Sequence, residues 1–420
     1  MSLVLTLVFF ALLALSVPVA HTLVIASGAA LWADGGLPLL LIAQQMFAQT
    51  QSFPLLALPF FILAGELMMS GRFGEGLIRF ASATVGHYRG GLASATVVGS
   101  VVFGGVSGSA VSDASALGSV LIPWQKREGY PAAFTAANNA AAATIAILIP
   151  PSIPMILYAL VSNVSVGALF LAGVLPGLML AAGFLLVCHL SARRRGFPAT
   201  RQRRERGALA RLALEASPAL AMPVLILAGL RFGVATPTEV SVMAVLYALL
   251  VATVVYRDMT LRRFLSALVN AGRATGVVML VIMASAAVGW IMTFVQAPQA
   301  FAAWASGSLR EPWLILLAMN GIMLVAGMFI DLPAAILLLG PIFVPLAQAI
   351  GLDLIQLGVV MVLNLAIGLY TPPVGTTLFI STTIARVSML RTAAELLPFY
   401  AVGLTVLLLF SFVPALTLRF

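Results

Sequence analysis

Charge is scarce in this chain. Thirteen Asp or Glu and 22 Lys or Arg make 8% of its 420 residues, where a soluble domain carries about a quarter, so a water-facing surface could not be covered. Lysine occurs once, at Lys126, and cysteine once, at Cys188 inside an apolar run. A lone cysteine excludes a disulfide framework, an iron–sulfur cluster and a thiolate zinc site. The three histidines, His21, His87 and His189, include no pair four residues apart, which leaves a metal site or a catalytic triad without support. A glycine-rich phosphate loop is also missing. An enzyme is therefore not expected, and any transport must draw on an ion gradient or a partner.

What fills the chain is apolar: 62% of residues are hydrophobic. Stretches near the ~20 residues that cross ~30 Å of hydrocarbon recur over the whole length, which reads as an all-α polytopic membrane protein with no soluble domain. The 17 Met and 24 Phe are packing and lipid-facing residues on this reading. Spans are expected at Leu3–Trp32, Phe53–Met69, Gly91–Pro123, Pro131–Ser162, Val166–Leu190, Pro218–Leu230, Val240–Tyr256, Thr275–Val295, Pro312–Ile350, Leu357–Thr382 and Leu397–Leu416. Leu3–Trp32 is either one tilted span or two short helices divided near Pro18. Lacking a positive first segment and a cleavage site, it reads as retained rather than as a signal peptide. Basic amphipathic stretches are expected at Arg72–Arg89 and Arg257–Arg273.

Four of the apolar segments are interrupted. GGVSGSAVSDAS (Gly104 to Ser115) and GMFIDLPAA (Gly327 to Ala335) predict re-entrant hairpins, and IPPSIP (Ile149 to Pro154) and YTPPVG (Tyr370 to Gly375) predict helices broken at Pro-Pro. Irregular backbone at membrane depth is permitted only where protein or a water-filled cavity surrounds it. The halves share an order of parts, and Asp113 precedes Pro123 by ten residues as Asp331 precedes Pro341, while Asp113 to Pro150 is 37 and Asp331 to Pro372 is 41. This predicts an internal repeat.

Eight of the 22 cations lie between Arg193 and Arg211, bounded by apolar segments. This is how a cytoplasmic loop looks under the positive-inside rule, and topology explains it better than nucleic-acid or anionic-lipid recognition. No nucleic-acid partner is expected. Counting crossings outward from that loop brings Arg72, Arg79, Arg89, Lys126, Arg127, Arg257, Arg262 and Arg263 to the same side. The two hairpins then enter from opposite faces, as inverted repeats.

Broken helices expose unpaired backbone groups and half-helix dipole ends, so an anion and a hard cation can be held with few formal charges. Asp113 and Asp331 are the leading acids, as cation ligands or as N-caps at the hairpin tips. Glu66 reads as a packing or interface acid and Glu239 as a first-turn residue favoured by the helix dipole. Ser107, Ser109, Ser112, Asn138, Asn139, Asn364, Thr371, Thr376 and Thr377 cluster at the breaks. Their oxygens suit Na+, although any one of them could equally stitch helices together by hydrogen bonding.

The segments GVSGSAVSDASALGSVLIP (Gly105 to Pro123), ILIPPSIPMILY (Ile147 to Tyr158), ATPTEVSVMAVLYALL (Ala235 to Leu250), GMFIDLPAAILLLGPIFVP (Gly327 to Pro345) and VVMVLNLAIGLYTPPVGTTLF (Val359 to Phe379) resemble the large membrane subunit of tripartite ATP-independent periplasmic (TRAP) transporters. The resemblance implies a Na+-driven secondary transporter of the bacterial inner membrane, in contact with membrane lipid. It would work with a small membrane subunit of about four helices and a periplasmic substrate-binding protein that delivers a small organic acid. It implies an elevator: scaffold in 1–90 and 163–273, transport halves in 91–162 and 274–382, and a C-terminal arm and span in 383–420. By the resemblance, Na+ sites fall on Ser107, Ser109, Asp113 and Asn138 and on Asp331, Thr371, Gly375 and Thr376. The acid falls between the tips, near Ser109, Ser112, Asn139, Asn364, Thr376 and Thr377. One departure is AANNAAAATIAILIPP, where many members carry Ser-Ser or Ser-Thr before the first Pro-Pro and Asn138 and Asn139 stand here. The competing readings are a stand-alone symporter for dicarboxylates or citrate, and a channel or structural subunit with no coupled transport.

Overall fold

Two proline-marked breaks and two glycine-marked tips divide the apolar sequence into more helices than it has spans. The computed structural model describes residues 1–15, 17–69, 72–85, 89–197, 208–297, 299–300 and 311–417. Most of the Arg-rich loop and His87 lie outside them. The described residues form helices and no β-sheet. The helices α1 (Ser2–Ala14) and α2 (Val19–Asp34) divide the first apolar stretch near Pro18 and pack on each other. A helix not anticipated from sequence, α3 (Leu40–Thr50), is bent by 65° from the segment that ends in α4 (Ala57–Met69). The amphipathic α5 (Arg72–Val85) follows.

Next come α6 (Gly91–Ser107) and α7 (Ala110–Arg127), joined by a two-residue tip, then α8 (Ala132–Ala142) with its 3-10 continuation to Ile147, α9 (Ile153–Ser162) and α10 (Val166–Arg195). The second half holds α11 (Ala208–Arg231), α12 (Pro237–Leu250) and α13 (Leu261–Phe294), the hairpin α14 (Pro312–Phe329) and α15 (Leu332–Ala349), the broken pair α16 (Leu354–Leu369) and α17 (Thr376–Ala385), and α18 (Met389–Phe412). Among the described residues seven helices are long and apolar enough to cross a membrane, or eight if the bent pair counts as one span.

An offset of 222 relates the centres of the two halves, and the flanking helices follow it to within one residue at their starts. Adding 222 to the bounds of α7 (Ala110–Arg127) gives 332–349, the bounds of α15, and adding it to Ala132 gives 354, where α16 begins. The same shift carries Pro150-Pro151, a cis pair, onto Pro372-Pro373, also cis. This register corrects three expectations. Ser109, the N-cap of α7, pairs with Asp331, the N-cap of α15, whereas Asp113 pairs with Ala335. Pro123 pairs with Pro345 rather than Pro341, which removes the mismatch of 37 against 41. The Arg257–Arg273 stretch is continuous with the span after it in the 34-residue α13, which maps onto α3 and α4 and not onto Arg72–Arg89.

Packing follows the same exchange of halves. The second piece of each broken helix docks into the opposite repeat: α17 lies on α7 and α8, and α9 lies on α15 and α16. Around this centre α10 packs on α6, α16 and α18, and an aromatic cluster of Phe134, Phe184 and Phe399 joins α8, α10 and α18, with ring centroids 5.4 and 6.2 Å apart. A second group, α2, α3, α4, α12 and α13, packs mainly on itself and meets the centre where α4 touches α6 and α13 touches α15.

Candidate functional site

Each hairpin tip is pressed onto a helix break through residues that have no side chain to obstruct it. Gly108 has φ +58°, and a Cβ there would lie 2.1 Å from the Pro151 carbonyl oxygen. Four residues earlier, in the hairpin helix, a Cβ on Gly104 would lie 2.5 Å from Ala146 Cα. The second half repeats the contact, since a Cβ on Gly368 would meet the Gly327 backbone carbon at 2.4 Å. Ala146 and Gly368 each stand four residues before the first proline of their break, so both junctions are built on the same plan.

At the first tip the Ser109 backbone N–H donates to Ser107 Oγ at 3.4 Å, and Ser109 Oγ accepts from Ser112 N at 3.4 Å, capping α7. Asp331 holds the N-cap position of α15 but makes no side-chain cap bond, and its side chain is exposed to the cavity between the tips. At the second break Gly375 has φ +42°, with the Thr371 and Leu369 carbonyl oxygens 2.8 and 3.1 Å from where its Cβ would be. Thr377 Oγ1 donates to Leu369 O at 2.9 Å and Thr371 Oγ1 to Ile367 O at 2.6 Å. The Thr376 hydroxyl is buried with no partner among the described residues.

The tips and breaks border one cavity of about 150 Å³, which Ser109 and Asp331 line, whereas Ser107, Ser112, Thr371, Gly375, Thr376 and Thr377 are not among its described lining residues. Gly108 to Val111 and Asp331 to Pro333 bring both tips to it, and Ile147, Ile153, Pro154 and Leu369 bring both breaks. Three helix N-termini, those of α7, α9 and α15, therefore converge on a space that the C-terminal ends of the 3-10 turn and of α16 also reach. Unpaired N–H groups at the former favour an anion and unpaired C=O groups at the latter a cation. Among the described lining residues Asp331 is the only one that carries a charge.

The other residues named from sequence fall elsewhere. Asp113 lies in the first turn of α7 but behind the lining, fully buried beside Ser100 of α6, with neither carboxylate oxygen in a hydrogen bond among the described residues. Asn138 Nδ2 donates to Ala93 O at 2.9 Å while its Oδ1 accepts from Cys188 Sγ at 3.2 Å, tying α8 to α6 and α10. Asn139 Nδ2 donates to Ala114 O and to Ser381 Oγ, both at 2.9 Å, tying α8 to α7 and α17. Asn364 Nδ2 donates to Asn320 Oδ1 at 2.7 Å and Asn320 Nδ2 to Ser411 Oγ at 3.0 Å, joining α16, α14 and α18. All three asparagines thus act as helix stitches. Asn364 Oδ1 alone among their oxygens is buried without a partner among the described residues.

Glu66 Oε2 accepts from Asn270 Nδ2 at 3.3 Å between α4 and α13, and Glu239 forms a capping box with Thr236. Sequence reasoning missed Asn320 and Ser381, which an amide or hydroxyl inside an apolar span could have flagged. It also missed Val278 of α13 in the cavity wall, where an apolar residue gives no signal.

Residues 6–416 match the family model described as the tripartite ATP-independent periplasmic transporter, DctM component. The C4-dicarboxylate TRAP transporter large permease protein DctM of Pseudomonas aeruginosa is 40% identical over 90% of this chain and 88% of its own. The sialic acid TRAP transporter large permease protein SiaM of Vibrio cholerae is 37% identical over 90% and 88%. Among solved structures, the Alcanivorax borkumensis YdaH transporter, reported as having an unusual topology, superposes with a TM-score of 0.61 at 14% identity over 90% of this chain and 86% of that one, a likeness of fold.

Proposed function

This chain belongs to the DctM component family of tripartite ATP-independent periplasmic transporters, and on that premise we propose that it is a Na+-driven importer subunit holding a small organic acid where its two hairpin tips meet. The family is one of transporter components and not of enzymes, and the chain is a multi-pass protein of the bacterial inner membrane. The finer reading is that a periplasmic binding protein delivers the acid and a small four-helix membrane subunit binds the scaffold.

The observation that carries the reading is the shared cavity. An acid's carboxylate is placed at the N-termini of α7, α9 and α15, where backbone N–H groups and the Ser109 cap can receive it without an arginine in the lipid. Sodium, the coupling substrate, is placed at hard oxygen donors. In the second half the candidate donors are Asp331 at the tip and, at the break, the Thr371 carbonyl beside Gly375 and the Thr376 hydroxyl, which has no partner among the described residues. In the first half the candidate is Asp113, a fully buried carboxylate beside Ser100 with no cationic partner among the described residues, behind the Ser107–Ser109 tip. A buried unpaired charge costs several kcal/mol, about 2.5–3.5 at a helix centre, and a bound cation offsets it.

Inverted orientation of the halves is supported by charge at equivalent positions. Lys126 and Arg127 map onto Gln348 and Ala349, Arg193 to Arg195 onto Ala415 to Thr417, and Arg257, Arg262 and Arg263 onto Gly35, Leu40 and Leu41. Only one member of each pair is charged, as opposite insertion requires. The moving unit comprises α6 to α10 and α14 to α18, and the scaffold α1 to α5 and α11 to α13. We include α10 in the moving unit because it packs on α6, α16 and α18.

The test is uptake into liposomes holding this chain with its small subunit, in the presence of the cognate binding protein and an inward Na+ gradient. Uptake should fall to background when Na+ is replaced by choline or the binding protein is omitted. Equal uptake by this chain alone would favour the stand-alone symporter, and Na+-insensitive flux a channel.

A further inference from the structure

A second cavity, unused by the function above, lies between α5, α7 and α11. It encloses about 480 Å³, within the size range of small-molecule sites, and its walls include Ile78, Val120, Trp124 and Leu212. Among the described residues two polar ones enter this apolar crevice from α5: Arg79, which is exposed, and Ser82, which is 5% exposed. The Ser82 Oγ is buried with no hydrogen-bond partner among the described residues. Arg79 already takes part in an interaction within the protein, and its guanidinium carries five N–H donors in a planar fork whose geometry matches a phosphate.

A hydrocarbon wall with one cation and one unsatisfied hydroxyl complements an amphiphile with an anionic head. A soluble anion would leave the walls wet. The level in the membrane agrees: Trp124 stands three residues before Arg127, which ends α7, and Leu212 follows Arg211. Tryptophan near a basic helix end is characteristic of the cytoplasmic interface, where basic pockets between helices hold lipid head groups.

We propose that this crevice binds one anionic phospholipid of the cytoplasmic leaflet, with its phosphate on Arg79 and the Ser82 hydroxyl and its acyl chain against Ile78, Val120 and Trp124. The assignment to a leaflet rests on the orientation proposed above, whereas lipid binding itself does not. Because α7 belongs to the first hairpin and α5 and α11 to the scaffold, the lipid lies across the boundary between the two units.

The experiment is native mass spectrometry of the full chain with its small subunit, with phosphatidylglycerol or phosphatidylcholine of identical acyl chains added. One phosphatidylglycerol per chain should be retained at least fivefold over phosphatidylcholine. Arg79→Gln should abolish the preference, Arg127→Gln at the same level outside the crevice should keep it, and Val120→Trp, which fills the crevice from an exposed wall, should remove retention. Equal retention of both lipids, or equal loss in Arg79→Gln and Arg127→Gln, would overturn the site. Displacement of phosphatidylglycerol by millimolar inorganic phosphate would show a soluble-anion site and overturn the lipid assignment. An Arg127→Cys variant should react with an impermeant maleimide from the cytoplasmic side only; reaction from the periplasmic side would overturn the leaflet and the orientation, independently of the lipid preference.

Discussion

Adding one methyl group at Gly368 tests the junction between the second hairpin and its broken helix. An alanine Cβ there would stand 2.4 Å from the Gly327 backbone carbon and 2.5 Å from its oxygen. Carbon contacts settle near ~3.5–4.0 Å, so α14 and α16 must separate by about 1 Å. The obstructing atoms are backbone on both sides, and no rotamer change relieves them. Overpacking of this kind costs about 1–3 kcal/mol, and if the loss falls on the assembled cavity the rate falls about 5- to 150-fold. The neighbouring Leu369 lines the cavity, so the strain reaches the site directly. Gly321→Ala on the same α14 is the control, since a Cβ there has nothing within 4 Å. Uptake into proteoliposomes and thermal unfolding of the purified complex read both consequences. Gly104→Ala, 2.5 Å from Ala146 Cα, should reproduce the defect in the first half. If Gly368→Ala transports and unfolds like Gly321→Ala, close backbone contact at the breaks is not what shapes the cavity.

The remaining predictions concern ions, stitches and sidedness. Na+ should raise the unfolding temperature of the complex, by an amount equivalent to about 2.7 kcal/mol at a hundredfold excess over its dissociation constant. Asp113→Asn, which neutralises a fully buried carboxylate, should raise stability in Na+-free buffer and diminish that shift; an unchanged shift would remove Asp113 from the ion site. Asp331→Ala should weaken Na+-dependent uptake while expression and assembly persist, and wild-type Na+ dependence in this variant would contradict its placement. Asn139→Ala breaks two buried hydrogen bonds between α8, α7 and α17 and should lower stability by about 1–3 kcal/mol without altering Na+ dependence, as calorimetry and uptake together would show. Cysteines introduced between residues 193 and 211 should label only from the cytoplasmic side.

The architecture was legible where sequence breaks a rule of membrane helices. Glycine and serine at Gly104–Ser115 and proline pairs at Pro150 and Pro372 interrupt hydrocarbon in ways no continuous span tolerates, and each interruption is a break in the structure. Register was harder, because aspartate served as the marker. Asp113 and Asp331 share a residue type but not a position: a hydroxyl caps α7 where a carboxylate begins α15, and counting from these caps gives the offset that also pairs the helices after them and the two Pro-Pro breaks. The helix α3 escaped notice because its glutamines dilute the apolar signal over eleven residues. The asparagines were conspicuous in sequence, yet a polar group in lipid signals a need for a partner without saying whether a helix or a ligand supplies it. Only geometry separates Asn138, whose amide is occupied at both ends, from Thr376, whose hydroxyl is not.

The central claim is that two tips from opposite insertions close one pocket around the acid and its sodium. The most direct measurement is cross-linking of Val111→Cys with Pro333→Cys by a short bismaleimide in membranes, with Cys188→Ala removing the native thiol. Both positions line the same cavity of about 150 Å³, so cross-linked product should form, and saturating Na+ with the transported acid should suppress it. Absence of product with both cysteines reactive, or product unaffected by Na+ and acid together, would contradict the account.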